Sequence, residues 1–313
     1  MTFNLSRSGQ RNAAGDDRAL YLKVFAGEVL TAFQQKQVMM DKHQVMTITH
    51  GKSASFPVVG TVEARYMKPG DELAGDVIQH GERIITIDDL LTASTTIANI
   101  DEAMNHYDTR SIYSNELGQA LANTADKHLL QLGVLAARTA GTEAGEPGGS
   151  VITNAGAATD SEALIASIFA CAQTFAEKDV PEDEQYFFLR PAAYFKLAQN
   201  TKLLNKDWGG AGVYADGKVL RVAGITLVPT NHLPNGVIAN DTVLAGTGNK
   251  YAGNFSTTVG LAMQRQALGT VKLLDLSMET EYETRRQGTF VVAKYAMGHG
   301  ILRPACAIEV KTA

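Results

Sequence analysis

The sequence predicts an α+β fold, and three observations carry the prediction. Over 97–140, Leu117, Leu121, Thr124, His128, Leu132 and Leu135 recur at steps of three and four, the stripe of a long helix. Over 54–66, Phe56, Val58, Val62, Ala64 and Tyr66 share one parity, which is strand periodicity. Near the C-terminus the alternation returns on both sides of a turn, as in an antiparallel hairpin.

Each element follows in order. Residues 1–18 are polar and aperiodic and read as an arm. Leu22, Phe25, Val29 and Phe33 then share helical spacing. The alternating run at 54–66 pairs with a second strand, Glu82 to Ile87, across a turn-rich, charged segment around Pro69-Gly70 and Gly75-Asp76. So long a tip has no core of its own and is expected to pack on another chain or to move. The long helix is expected over about 109–139, with Asp108 or Thr109 as cap and Gly141 beyond its end. Gly118 and Gly133 weaken it.

A Gly- and Ala-rich connection over 141–160 marks a boundary near 150. A helix with Leu164, Ile168, Ala172 and Phe175 on one face follows. Then come a buried strand Tyr186 to Leu189, a short helix opened by Pro191, a glycine-rich loop over 200–218, and short strands at 219–222, 225–229 and 242–245. In the last hairpin Leu274, Leu276, Met278 and Tyr282 are expected to face the core. Asp275, Ser277, Glu279, Glu281 and Glu283 face the other way. A turn at Thr284 to Gly288 leads to Val291, Ala293, Tyr295 and Met297.

Length and composition bound the function. The chain has 313 residues, room for two domains or one large one, with 45% hydrophobic and 19% charged residues. A net charge of -5 excludes a broad basic face for gripping nucleic acid. Cys171 and Cys306 are far apart and outside any Cys-x-x-Cys pair, so two buried thiols are expected. The N-terminal run lacks an apolar signal core, and no stretch reaches the ~20 apolar residues of a membrane span.

Chemical motifs fail one by one. Gly51-Lys52-Ser53 lacks the preceding glycine of a phosphate loop, since position 46 is Met46. Gly246-Thr247-Gly248 lacks the third glycine of a dinucleotide loop, which would fall at Tyr251. None of the seven histidines stands in a metal-binding pair, and His128 is expected as a hydrogen-bonded core residue. Asp88-Asp89 and Asp101-Glu102 are expected to stabilise helix starts. The acid row Glu279, Glu281, Glu283 reads as a solvated strand face, or as a cation or charge contact with a neighbouring subunit, with Arg285 and Arg286 at the adjoining turn. No catalytic, cofactor-binding or metal residue is expected, and no cofactor.

Several separated runs carry a resemblance: LYLKVFAGEVLTAF at 20–33, GKSASFPVVG at 51–60, ITIDDLLTA at 85–93, DEAMNHYDTRSIY at 101–113, VGLAMQRQALGTVKLLDL at 259–276 and AKYAMGHGILRP at 293–304. Their order resembles the major capsid proteins of T-seven-like, short-tailed, double-stranded DNA phages. The resemblance implies the Hong Kong ninety-seven type capsid fold: an N-terminal arm at 1–50, an extended two-stranded loop at 51–88, a peripheral domain with spine helix at 89–149, an axial domain at 150–267, and returning peripheral strands at 268–313. It implies a structural, non-enzymatic virion protein forming pentamers and hexamers of an icosahedral head, assembled in the bacterial host cytoplasm. Implied partners are further copies of the chain, a scaffolding protein, a portal protein and packaged DNA by proximity. A decoration protein is left open, and no membrane is implied. Subunit-interface residues are expected at Lys68, Asp71, Glu72, Asp76, Glu279, Glu281, Arg285 and Arg286. An encapsulin-like compartment shell shares this fold and is the nearest alternative. A soluble hydrolase would need a convergent titrating set that the sequence does not display.

Overall fold

In the computed structural model the helix α1 spans Thr109–Ala137, about 44 Å at ~1.5 Å per residue. The structure describes residues 38–60, 64, 66, 68, 70, 75, 78, 80–100, 104, 109–141, 146–200, 221–239 and 250–313. The expected arm at 1–18 and helix at 22–33, the glycine-rich loop beyond residue 200, the strand at 242–245, and Asp101, Glu102 and Asp108 lie outside the described residues.

The chain divides into two compact units. The larger comprises Gln37–Asp88, Asp126–Leu273 and Gly298–Ala313. Its centre is a six-stranded sheet made of β5 (Ser150–Thr153), β6 (Gln185–Leu189), β7 (Arg221–Val222), β8 (Ile225–Pro229), β11 (Thr258–Gln264) and β14 (Ala307–Lys311), in the order β5-β14-β11-β6-β8-β7. Strand β11 lies between β14 and β6, and every one of its residues is buried, so both its faces are covered. A small pair, β9 (Val237–Ile238) with β10 (Gly253–Asn254), completes the strands in this part of the chain.

Two helices pack on this sheet for legible reasons. The Asp160 carboxylate accepts the Glu162 N–H at 3.1 Å and so caps α2, Ser161–Glu177. Leu164, Ile168, Cys171 and Phe175 of α2 form its buried face. Pro191 opens α3, Pro191–Ala198, where its missing N–H costs nothing. The second half of α1 joins the same core through Leu129, Leu130 and Val134. Gly133 is there for close approach: a Cβ would stand 2.6 Å from Leu261 Cδ2 on β11. The helix ends at Ala137, earlier than Gly141 suggests. Gly149 packs against that end, where a Cβ would meet the Ala136 and Ala137 carbonyl oxygens at 2.4 Å.

In the same unit, β2 (Ser53–Val59) and β3 (His80–Thr86) form the expected antiparallel pair, from Ser53 opposite Thr86 to Val59 opposite His80. Ala54 and Ile85 are its buried anchors, packed with Val271 and Leu302. Strand β1 (Gln44–Thr47) lies parallel to the start of β12 (Leu268–Glu283), with Gln44 opposite Gly269 and Thr47 opposite Lys272.

The described parts of the smaller unit are Asp89–Ala125 and Leu274–Met297. Here β4 (Leu91–Ala98) pairs antiparallel with β13 (Gly288–Ile301), from Tyr295 opposite Leu91 to Gly288 opposite Ala98. The sheet order β1-β12-β13-β4 makes β13 central, and its side chains are largely buried. Asp88-Asp89 does not start a helix; the pair lies between β3 and β4.

Candidate assembly site

The far part of β12, in the smaller unit, is an exposed surface. Its alternation is as expected, yet the apolar row is not in the core: Leu274 and Leu276 are each 49% exposed, Met278 42% and Tyr282 49%. Opposite Leu276 the nearby α1 residue is Gly118, where a Cβ would sit 3.9 Å from Leu276 Cδ2, so at this point the helix brings no side chain over the row. On the acidic row, Glu279 pairs with Lys294 at 2.6 Å and stays 66% exposed, while Glu283 is held by Arg286 across the turn. Glu281 and Arg285 are exposed. Tyr282 Oη accepts from Asn99 Nδ2 at 2.9 Å and donates to Gln287 Oε1 at 3.2 Å, which fixes the end of the hairpin. The structure therefore brings Glu279, Glu281, Arg285 and Arg286 together on one hairpin. Lys68 is exposed on the loop between β2 and β3, with Tyr66, Gly75 and Ile78. Asp71, Glu72 and Asp76 lie outside the described residues.

The larger unit holds polar groups that the sequence reading missed. His43 Nδ1 meets the Met39 carbonyl and Nε2 meets Thr270 Oγ1, each at 2.7 Å; Thr270 Oγ1 in turn meets His299 Nδ1 at 2.7 Å. Burial holds both imidazoles below their ordinary range, His299 far below. Asp126, inside α1, accepts the Val38 and Met39 N–H groups at 2.7 and 3.3 Å. Burial outweighs those bonds and raises its carboxyl to about 6. His128 is buried, as expected, and stacks on Tyr251 at 4.3 Å; Tyr251 Oη donates to Asp88, which also pairs with Lys250.

A second buried contact closes the end of α1. Arg138 Nε and Nη2 donate to the two Glu309 oxygens at 2.6 and 2.7 Å, and Thr258 Oγ1 donates to Glu309 Oε1 at 2.6 Å. The Glu309 hydrogen bond raises the Arg138 guanidinium above its ordinary value. Glu309 itself has no exposed surface. Thr270 likewise is 0% exposed, so the histidine–threonine chain admits no substrate and acts as internal bonding. Cys171 and Cys306 are free and buried, and burial pushes their thiols up to about 12 and 11.

Against known proteins, the model of the family described as Gp10A-like, major capsid protein, matches residues 55–311. The major capsid protein of Escherichia phage T7 is 38% identical over a 320-position alignment that covers 94% of this chain and 92% of that protein. Among solved structures, the capsid of the cyanophage P-SCSP1u aligns with a TM-score of 0.86 at 42% identity, over 100% of this chain and 99% of its own. The mature capsid of bacteriophage PhiM1 aligns at 20% identity with a TM-score of 0.78, over 99% of this chain and 97% of its own, a likeness of fold.

Proposed function

The chain belongs to the Gp10A-like major capsid protein family, and from that premise we propose how its parts build a phage head. It is a structural protein of the virion that self-assembles into a capsid shell, in a family that is not enzymatic. The observation that carries this is the 0.86 TM-score to a phage capsid along the full chain, at 42% identity.

The finer reading is ours. The subunits form pentamers and hexamers, a scaffolding protein guides them and a portal occupies one vertex. Assembly takes place in the host cytoplasm, and packaged DNA lies against the inner wall. Residues 1–50 serve as arm, 51–88 as extended loop, 89–149 as peripheral domain with spine helix, 150–267 as axial domain and 268–313 as returning strands. Lys68, Asp71, Glu72 and Asp76 on the loop, and Glu279, Glu281, Arg285 and Arg286 on the β12–β13 hairpin, contact neighbouring subunits. Two features support this: the β2–β3 pair carries a loop whose described residues between 64 and 78 are all exposed, and the hairpin leaves Glu279, Glu281 and Arg285 and the apolar row exposed. The net charge of -5 suits a wall that lies beside DNA without gripping it. Native mass measurement and negative-stain microscopy of the expressed chain test the reading. Megadalton particles or capsomers are expected, and DNA inside particles from infected cells. A protein that stays monomeric under all conditions refutes it.

A further inference from the structure

We propose that the cavity between the β2–β3 pair and the chain just beyond β13 binds a free tetrahedral oxyanion of the phosphate type, held by the guanidinium groups of Arg83 and Arg303. The cavity measures about 240 Å³ and lies wholly within the larger unit. Four polar side chains from four places in the fold line it: Gln44 of β1, Arg83 of β3, Gln266 in the turn between β11 and β12, and Arg303, two residues beyond β13. Phe56 and Leu302 belong to its apolar wall. The space suits one small ion with its remaining water. All of its walls come from one subunit.

The two arginines have donors to spare. Arg83 Nη2 donates to Glu146 Oε2 at 3.0 Å, but Nε is buried with no hydrogen-bond partner among the described residues. A covered guanidinium N–H without an acceptor is costly. Arg303 is exposed, and its side chain makes no hydrogen bond or ion pair among the described residues. Glu146 lines a separate cavity, and no carboxylate is among the residues lining this one. Two cations in the wall of one small cavity repel each other, and an anion lodged between them turns that repulsion into attraction.

The arrangement of donors selects the kind of anion. A guanidinium is a planar fork that matches carboxylate and phosphate oxygens alike. A carboxylate has two oxygens in one plane and is satisfied by a single fork. Here the forks come from two elements, and the Gln44 and Gln266 carboxamides add N–H donors from two more. Donors spread around a cavity suit four oxygens that point apart. A nucleic-acid phosphate fits less well, because its neighbours along the strand need further cations and the chain carries a net charge of -5. A bound ion would join β3 to the chain beyond β13 and so steady the base of the β2–β3 pair.

The test is titration calorimetry of the purified full chain in phosphate-free buffer, with inorganic phosphate as the probe. One ion per chain is expected to bind at about 1 mM or tighter, in competition with sulfate, and to raise the unfolding temperature. Arg303→Met should weaken binding at least about tenfold with circular dichroism unchanged, since the Arg303 side chain has no bond to lose. Gln266→Leu is the second variant and should weaken binding severalfold. Arg221→Met, at an exposed position on β7 outside the cavity, should leave it unchanged. No saturable binding up to about 10 mM phosphate overturns the site, and so does an equal loss in Arg221→Met and Arg303→Met. Acetate bound as tightly as phosphate overturns the tetrahedral ion. A short DNA duplex held more tightly than phosphate, and released by Arg303→Met, overturns the free ion.

Discussion

Arg138→Met isolates the ion pair that closes the end of α1. Removing the guanidinium leaves the Glu309 carboxylate with no exposed surface and with Thr258 as its remaining donor. Breaking a buried pair from one side costs about 3–5 kcal/mol, because a charge stays buried without its partner. The chain has one escape, which is to take up a proton. A glutamate in water titrates near 4.3, so holding one neutral at pH 7 costs about 3.5–4 kcal/mol at ~1.36 kcal/mol per pH unit. Both routes agree on the size of the loss at neutral pH, and the second has a signature. The folded variant then binds one proton more than its unfolded chain, so its stability falls as pH rises. The deficit against wild type should shrink by about 1.4 kcal/mol for each pH unit between 7 and 5. Urea unfolding followed by circular dichroism at three pH values measures it. The double variant Arg138→Met/Glu309→Leu should recover most of the loss, since a buried pair replaced by apolar groups is often neutral. A single-variant deficit below about 1 kcal/mol, or one that ignores pH while the double variant recovers nothing, refutes the reasoning.

Other expectations follow from the same structure. Asp126 has its carboxyl raised to about 6, so the folded chain holds its proton longer than the unfolded one and this contribution is lost as pH rises from about 4 to 6. The stability of Asp126→Asn relative to wild type should therefore rise over that window and level off above pH 7, as read by thermal unfolding at each pH; a flat difference contradicts it. His43 and His299 act with the opposite sign: their lowered values mean stability present near neutrality that is lost as pH falls below about 6.5. Leu121→Asp places a carboxylate at a buried α1 position, costs several kcal/mol and should give insoluble protein; normal assembly would disprove that packing role. Replacing residues 68–79 by a short glycine-containing turn should leave circular dichroism intact and stop shell formation by light scattering, and heat-stable shells from the shortened chain would count against the loop as an assembly element. Mature particles boiled in detergent should release a monomer near 33.5 kDa, whereas a ladder surviving reductant would show covalent joining.

Periodicity made some of this fold legible and hid other parts, for one physical reason. It reports what one element needs covered, and it is silent on what covers it. The α2 stripe of Leu164, Ile168 and Phe175 and the β2–β3 alternation were readable because their partners are ordinary neighbours in the same core. Asp126 was not, although its i+3 and i+4 neighbours are Leu129 and Leu130, because a carboxylate inside such a run is explained only by the Val38 and Met39 amides, 87 or more residues earlier. Glu309 alternates with Ile308 and Val310 as a solvent-facing residue would, yet β14 lies between β5 and β11 with both faces covered, and Arg138 comes from another element. The candidate assembly residues fail in the reverse sense. Leu274, Leu276, Met278 and Tyr282 spell a core face with full regularity, and no core within the described chain receives them. Periodicity alone cannot tell such a row from one that packs inside its own subunit. In a shell protein the misread face is therefore informative: an exposed apolar row of this regularity marks a candidate interaction surface.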